Sequence, residues 1–115
     1  MCCDEPQHLE QCRQFFPPEY CHFAFASRTF VDVVAAGFGK GEAMQRLSQL
    51  LDIPFERFFS AGDAMTDLPM LRSSAVSFAP ENALEAVKQA VTYVVPSVHC
   101  GGMERAFHLA AEHMI

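Results

Sequence analysis

The sequence predicts an α/β fold, in which helices flank a partial Rossmann-like parallel sheet and a small antiparallel α+β unit precedes it. From residue 43 onwards, short apolar runs alternate with segments whose apolar residues recur at helical spacing, as in parallel sheets covered by helices. Before Gly37, two runs rich in β-branched and aromatic residues follow each other directly, which is typical of an antiparallel pair. The chain has 115 residues, 50% of them hydrophobic, which is enough for one domain with a core.

The first part of the chain is predicted to hold one helix and two strands. Apolar residues recur at helical spacing over residues 6–16, and Pro17 and Pro18 end this helix. Residues 21–27 and 29–35 are predicted to be antiparallel strands that turn near Ser27 and Arg28. Glycines at 37, 39 and 41 then mark a hinge-like stretch.

The second part is predicted to alternate helices and strands. Strands are expected at residues 55–61, 75–78 and 92–95, and helices at 43–51, at 64–72, from about residue 82 and from residue 102. Apolar residues mark one face of each of the first and last of these helices. In the first helix they are Ala43, Met44, Leu47, Leu50 and Leu51. In the last helix they are Met103, Phe107, Ala110 and Met114, which are predicted to face inward.

Two carboxylates four residues apart, Asp63 and Asp67, follow the apolar run at residues 58–61. The run predicts a buried strand, so both side chains are expected at the carboxyl edge of the sheet, where open α/β sheets bind ligands. Carboxylate oxygens at such an edge suit Mg²⁺ and a phosphate-bearing substrate. The alternative is a polar loop in which Asp63 or Asp67 only caps the following turn.

The overall charge restricts the partners that we expect. The formal net charge is −6 and the pI is about 5.2, with no basic patch, which argues against a nucleic-acid partner. No apolar run has the length needed to span a bilayer, and the first residues lack the order of a signal peptide, so a cytoplasmic protein without a membrane partner is expected. The five cysteines are irregularly spaced, which favours neither a disulfide framework nor a zinc site.

Four sequence motifs resemble those of the haloacid dehalogenase superfamily, and more narrowly its Cof-type sugar-phosphate phosphatases with an α/β cap. They are FGKGEA at 38–43, SAGDAMTDLPML at 60–71, APENA at 79–83 and GGM at 101–103. The resemblance covers essentially the whole chain. It implies that residues 1–36 are the end of the cap domain, and that residues 37–115 are the carboxyl-terminal half of the hydrolase core.

The resemblance implies roles for five residues. Lys40 matches the catalytic lysine that pairs with the nucleophile and the transferring phosphoryl group. Asp63 matches the direct Mg²⁺ ligand, and Asp67 matches the second acidic residue, which helps hold the metal and orients the lysine. Thr66 stands where the family often has Asn, and its hydroxyl can bond a metal-bound water. Asn82 matches a polar residue near the phosphate, and a helix-capping role is its alternative.

The family's nucleophile is absent from this sequence. The superfamily uses an aspartate of an Asp-x-Asp loop to form an aspartyl-phosphate, and no Asp-x-Asp occurs here. The expected function is therefore that of a Mg²⁺-dependent phosphatase for small phosphate monoesters such as sugar phosphates, of which this chain is an incomplete or inactive portion. The alternatives are a non-catalytic remnant that binds metal, phosphate or a partner, and an unrelated α/β binding domain.

The missing motif has a structural consequence for the sheet. In the family, the Asp-x-Asp strand lies beside the strand that ends at Gly62 and Asp63. Without that neighbour, residues 58–61 would form an exposed apolar sheet edge. We therefore expect self-association of the chain, or pairing with an upstream segment, through this edge.

Overall fold

Ten helices and strands follow one another in the part of the chain that the computed structural model describes, which is residue 2, residues 4–25 and residues 28–114. The helices are α1 (Pro6–Cys12), α2 (Lys40–Leu51), α3 (Leu68–Ser73), α4 (Glu85–Lys88) and α5 (Gly102–His113). The strands are β1 (Cys21–Phe25), β2 (Val31–Ala35), β3 (Phe59–Ala61), β4 (Val76–Pro80) and β5 (Tyr93–Val95). The α/β class predicted from the sequence is confirmed.

The predicted antiparallel pair is present as a two-stranded sheet. Strands β1 and β2 pair antiparallel, with Cys21 opposite Ala35. Both strands are shorter than predicted, and Ser27 of the predicted turn lies outside the described residues. The α-helix predicted over residues 6–16 ends at Cys12 and continues as a 3₁₀ turn at Arg13–Phe15, because Pro17 cannot extend an α-helix.

One face of the two-stranded sheet is covered by the segment around α1. Leu9 of α1 and Val31 of β2 are fully buried. The rings of Phe16 and Phe23 meet edge to face with centroids 5.5 Å apart, and the Arg13 guanidinium lies 5.5 Å from the centroid of the Phe23 ring. The Phe23 ring is thereby held on the side of the sheet that faces α1.

The parallel sheet has the order β3-β4-β5 and places β4 in the centre. Every residue of β4 is buried, since helices cover both faces of the strand. Two core clusters lie on these faces. The first contains Leu68, Leu71, Ala79, Ala83 and Val87, and the second contains Val76, Phe78, Val95, Ala106 and Ala110. Side chains alternate along β4, so the sheet separates a core shared with α3 and α4 from a core shared with α5.

Several predicted elements are shorter than the sequence pattern indicated. The strand predicted over residues 55–61 is limited to β3, because Phe55–Arg57 forms a 3₁₀ turn after Pro54. The helix predicted over residues 64–72 is split into a 3₁₀ turn at Met65–Asp67 and α3. The helix expected from about residue 82 begins only at Glu85.

The inward face predicted for the last helix is wrong for three of its four residues. Met103, Phe107 and Met114 are 44%, 71% and 70% exposed, whereas Ala110 is buried as predicted. The buried face consists instead of the small residues Gly102, Ala106 and Ala110. Small side chains allow α5 to lie close to the sheet, and this close approach determines which face turns inward.

The apolar face of α2 is mostly open. Met44 is buried, but Leu47, Leu50 and Leu51 are 45%, 79% and 55% exposed. Helix α2 packs chiefly against α3, which covers only part of that face. Across the described ranges, no helix combines the length and apolar character required to cross a bilayer.

Candidate phosphoryl-binding site

Three chain segments meet at the carboxyl edge of the parallel sheet: the loops after β3 and β4, and the first turn of α2. The N–H of Gly62 bonds the Phe78 carbonyl at 3.1 Å, which extends the pairing of β3 with β4. The N–H of Leu84 bonds the Asp63 carbonyl at 3.2 Å and ties the two loops together. The acidic loop is therefore held against the sheet by backbone hydrogen bonds as well as by its side chains.

The ion pair between Lys40 and Asp67 is the central contact of this edge. The Nζ of Lys40 donates a hydrogen bond to Oδ1 of Asp67, although the two residues are 27 positions apart. Asp67 is 3% exposed, and its Oδ2 accepts the backbone N–H groups of Asp63 and Ala64 at 3.0 and 3.1 Å. Both carboxylate oxygens of Asp67 therefore have partners, and the structure brings together two of the predicted site residues.

These contacts determine the charge state of Asp67. Burial raises the pKa of its carboxyl group, but the hydrogen bond from Lys40, the N–H groups of Ala64 and Asp63, and the Lys40 charge together lower the pKa below its ordinary value. Asp67 is an anion at neutral pH. The same carboxylate bonds the backbone of the loop after β3. Asp67 therefore contacts Lys40, as the resemblance implied, and also stabilises the following turn, as the alternative interpretation expected.

Two glycines allow the close approaches that form the site. A methyl group on Gly62 would lie 2.5 Å from the Cβ of Asp67, and one on Gly41 would lie 2.8 Å from the Cβ of Pro69. Gly62 thus leaves room for the buried carboxylate. Gly41 lets the first turn of α2 reach the start of α3, which positions Lys40 above Asp67.

The other predicted site residues lie nearby, and of these Asp63 contacts the pair through its backbone N–H, which bonds Oδ2 of Asp67. The Asp63 side chain is exposed, and among the described residues it accepts no side-chain hydrogen bond. Thr66 lines the same cavity as Lys40. Asn82 is exposed in the turn between β4 and α4, and because the residue that caps α4 is Leu84, the capping alternative for Asn82 is wrong.

The carboxylates of the site can be tested for their fit to Mg²⁺. Asp67 already uses both oxygens, and the described residues contain no group of three acidic, histidine or cysteine side chains arranged for a metal. Mg²⁺ commonly binds proteins through one or two carboxylates and completes its octahedron with water and substrate oxygens. The exposed Asp63 carboxylate fits such a single ligand.

The cavity beside Lys40 includes two residues for which the sequence predicted no role in the site. His22 of β1 and Asp32 of β2 line it together with Lys40 and Thr66. Each of the two stands among mainly apolar neighbours in its strand, so the sequence offered only a weak signal that this face is open.

Comparison with known proteins agrees with this geometry. The sequence model of the haloacid dehalogenase-like hydrolases matches residues 1–107. The chain belongs to this family, which confirms the resemblance seen in its motifs. A phosphoglycolate phosphatase of Methanothrix thermoacetophila is 34% identical over 95 residues, which cover 74% of this chain and 43% of that protein.

Solved structures extend the comparison to the fold. A sugar phosphatase of subclass IIB, BT4131, is 27% identical and superposes with a TM-score of 0.79 over 90% of this chain and 39% of that one. The phosphatase BT1666 of Bacteroides thetaiotaomicron shares the fold, with a TM-score of 0.81, 20% identity and coverage of 93% of this chain and 39% of that one. This chain thus spans about two-fifths of the length of these relatives.

Proposed function

We propose that this chain forms the carboxyl-terminal half of the active site of a magnesium-dependent cytoplasmic phosphatase that hydrolyses small phosphate monoesters such as sugar phosphates. The observation that carries the proposal is the Lys40–Asp67 pair at the carboxyl edge of a parallel sheet. Its relatives support the reaction class, because proteins similar to this chain carry the names phosphoglycolate phosphatase and sugar phosphatase.

Lys40 is proposed to bind the phosphoryl group. Its side chain is 57% exposed while its partner Asp67 is almost completely buried, so the ammonium can contact a ligand without leaving the carboxylate. A fixed cation next to the phosphoryl oxygens stabilises the negative charge that develops on them during transfer. Asp67 acts as the positioning residue, since its backbone hydrogen bonds hold it in place beneath the lysine.

Asp63 is proposed to hold the metal ion. Mg²⁺ bound there would neutralise phosphoryl charge as a Lewis acid. The exposed Asp63 carboxylate offers oxygen ligands at the same edge as Lys40. Thr66 would hydrogen-bond a metal-bound water or the substrate, and Asn82 would contact the phosphate from the loop after β4.

The nucleophile is proposed to come from a different stretch of polypeptide. The sequence contains no Asp-x-Asp motif, and this chain spans only part of the length of its relatives. In this proposal residues 1–36 are the end of a cap and residues 37–115 are half of a core. The aspartyl-phosphate intermediate would form on an aspartate outside this chain.

The first experiment is an assay of the purified chain for Mg²⁺-dependent hydrolysis of an aryl phosphate, combined with calorimetric measurement of Mg²⁺ binding. We expect no turnover, and we expect Mg²⁺ binding that weakens by about tenfold or more in Asp63→Asn because a direct carboxylate ligand is lost. Asp52→Asn is the matched control, since Asp52 is exposed at the other end of α2. Mg²⁺ binding that is equal in all three proteins would contradict the metal site, and turnover abolished by Asp63→Asn would contradict the missing nucleophile.

The second candidate function is a non-catalytic remnant that binds metal, phosphate or a partner. The absence of Asp-x-Asp favours this candidate. The two candidate functions predict different genomic sequences upstream of this reading frame. A continuous upstream segment that contains Asp-x-Asp supports the phosphatase, and a stop codon directly upstream supports the remnant.

The partner is proposed to be a strand of that upstream segment, added to the free edge of β3. Within the described residues β3 has a neighbour on one side only, and a groove of about 460 Å³ lies between this edge and α2. Its walls are largely apolar and include Met44, Leu47 and Phe58. An unpaired apolar edge of this kind recruits another strand.

Light scattering tests the open edge. We expect the isolated chain to self-associate, because without the upstream strand a second copy is the available cover for the groove. Leu47→Lys should reduce the association, since it places a charge in the groove wall. Phe107→Lys is the matched control, because Phe107 is also exposed but lies on α5. A monodisperse monomer at all concentrations would contradict the pairing.

A further inference from the structure

The main chain of Asp63 is held on both sides of its Cα atom. The peptide group before it donates the Asp63 N–H to Oδ2 of Asp67 at 3.0 Å. The peptide group after it bonds through both of its polar atoms. The Ala64 N–H reaches the same oxygen at 3.1 Å, and the Asp63 carbonyl accepts the Leu84 N–H at 3.2 Å. These three hydrogen bonds fix the backbone from which the exposed Asp63 carboxylate extends.

Leu84 is itself anchored in the loop after β4. Its carbonyl accepts the N–H of Val87 at 2.9 Å at the start of α4, and Val87 is fully buried in the core. On the other side, the N–H of Ala83 bonds the carbonyl of Pro80, the last residue of β4, at 2.8 Å. The Leu84 N–H thus reaches Asp63 from a support that is fixed at both ends.

The side chain of Leu84 contributes little to the packing of this loop. It is 52% exposed, and Leu84 belongs to neither of the two core clusters. The residue has a φ of −58° and a ψ of 143°, which is extended backbone that proline also adopts. The contribution of Leu84 to the site therefore comes from its N–H, and a proline would lack this donor at nearly the same backbone geometry.

We propose that Leu84 is a positioning residue for the metal ligand, and that its backbone N–H holds Asp63 in the orientation that binds Mg²⁺. A ligand that is fixed before the ion arrives loses less conformational freedom on binding, and this raises the affinity. The contribution is that of one hydrogen bond, so its loss is expected to weaken Mg²⁺ binding about fivefold. This inference rests on the proposed function, and it deepens it by adding the loop after β4 to the metal site.

Calorimetric titration of Leu84→Pro with Mg²⁺ tests this hydrogen bond. Leu84→Ala is the matched control, because it also removes the leucine side chain but keeps the N–H. We expect the dissociation constant for Mg²⁺ to be about fivefold higher in Leu84→Pro than in the unaltered chain, and unchanged in Leu84→Ala. Circular dichroism shows whether each variant is folded at the temperature of the titration. A purely structural role of Leu84 would lower the melting temperature and leave the Mg²⁺ affinity of the folded protein unchanged.

Amide hydrogen exchange of the unaltered chain tests the same bond without a substitution. Coupling between two equilibria is reciprocal, so a bond that strengthens Mg²⁺ binding about fivefold is itself stabilised by the same factor when Mg²⁺ saturates the site. We expect exchange of the Leu84 amide, followed by NMR, to slow about fivefold on addition of Mg²⁺. The Ala83 amide is the internal control, because it bonds Pro80 rather than Asp63, and its exchange should change little.

The outcomes separate this inference from the proposed metal site. Equal Mg²⁺ affinity in Leu84→Pro and Leu84→Ala, or equal slowing of the Leu84 and Ala83 amides, overturns the positioning role alone, provided that Asp63→Asn weakens Mg²⁺ binding. If Mg²⁺ does not bind, or binds equally to Asp63→Asn, the metal site fails and the inference fails with it. If Leu84→Pro does not fold, the exchange measurement decides alone. Weaker binding in Leu84→Pro together with selective slowing of the Leu84 amide supports the inference.

Discussion

Replacing Asp67 with asparagine is expected to lower the free energy of unfolding by about 2 kcal/mol at neutral pH. The Asp67 carboxylate is 3% exposed and accepts hydrogen bonds from Lys40 and from the backbone of Asp63 and Ala64. An amide retains one acceptor oxygen and turns an NH₂ group toward a donor, so at least one of these bonds is lost. The expected loss is small because Lys40 is more than half exposed and its charge is screened by water.

The pH dependence distinguishes the loss of this charge from a general packing defect. Because the folded-state pKa of Asp67 lies below its ordinary value, its contribution is present above about pH 4 and is lost as the pH falls through the folded-state pKa. The Asp67→Asn variant lacks this contribution. Urea denaturation of both proteins between pH 7 and pH 3 should show stabilities that converge in acid. A difference in unfolding free energy between the two proteins that stays constant over this pH range would contradict a stabilising role of the Asp67 charge.

Lys40→Met provides the companion measurement. We expect a loss of about 1 kcal/mol, smaller than for Asp67→Asn, because Asp67 keeps its two backbone hydrogen bonds and the lysine is partly exposed. In this variant the pKa of Asp67 should rise, since the cation that favours its charged form is gone. An equal loss in both variants would mean that the backbone bonds contribute nothing to stability.

The position of the candidate site was predictable from local pattern only in part. The spacing of Asp63 and Asp67 after an apolar run was sufficient to place both at the carboxyl edge of a sheet, and the structure has them there. The contact of Asp67 with Lys40 joins residues 27 positions apart, a distance at which helical or strand periodicity carries no information. The pairing of these two residues was expected only because the motifs resembled those of a family.

The errors in the helix faces have two physical causes. Periodicity assigns the buried face to the largest apolar residues, and this put Phe107 inside. In the structure, the backbone at Pro96 leaves no room for a side chain at position 102, and α5 buries the small residues Ala106 and Ala110. On α2, Met44 of the predicted apolar face is buried, but Leu47, Leu50 and Leu51 stay exposed because α3 covers only part of the helix.

Two polar residues of the two-stranded sheet show a further limit of prediction from sequence. His22 and Asp32 are unremarkable in sequence, since single polar residues in strands usually point to water. Their position beside Lys40 follows from the packing of that sheet over the start of α2 and the turn at Met65–Asp67, which brings distant parts of the chain together. Such a cavity becomes visible only after the two sheets are assembled.

Gly102→Ala is expected to cause a larger loss, about 3 kcal/mol, and to lower the melting temperature by more than about 10 °C. A Cβ at this position would lie 1.9 Å from the carbonyl oxygen of Pro96 and 3.1 Å from that of Ser97. Both contacts are with backbone atoms, which cannot rotate away as a side chain can. Helix α5 would have to move off the sheet, and its buried residues Ala106 and Ala110 would lose contacts with β4 and β5.

Gly101→Ala is the matched control, because it adds the same methyl group one residue earlier. Gly101 has a φ of 79°, which strains an alanine, but the nearest atom to its Cβ would be Oε2 of Glu104 at 3.9 Å. We expect a loss of about 1 kcal/mol from backbone strain alone. Thermal unfolding followed by circular dichroism measures both variants. If Gly102→Ala proves no more destabilising than Gly101→Ala, then α5 does not approach the backbone at Pro96 as closely as described. The small residues of α5 would then need another explanation.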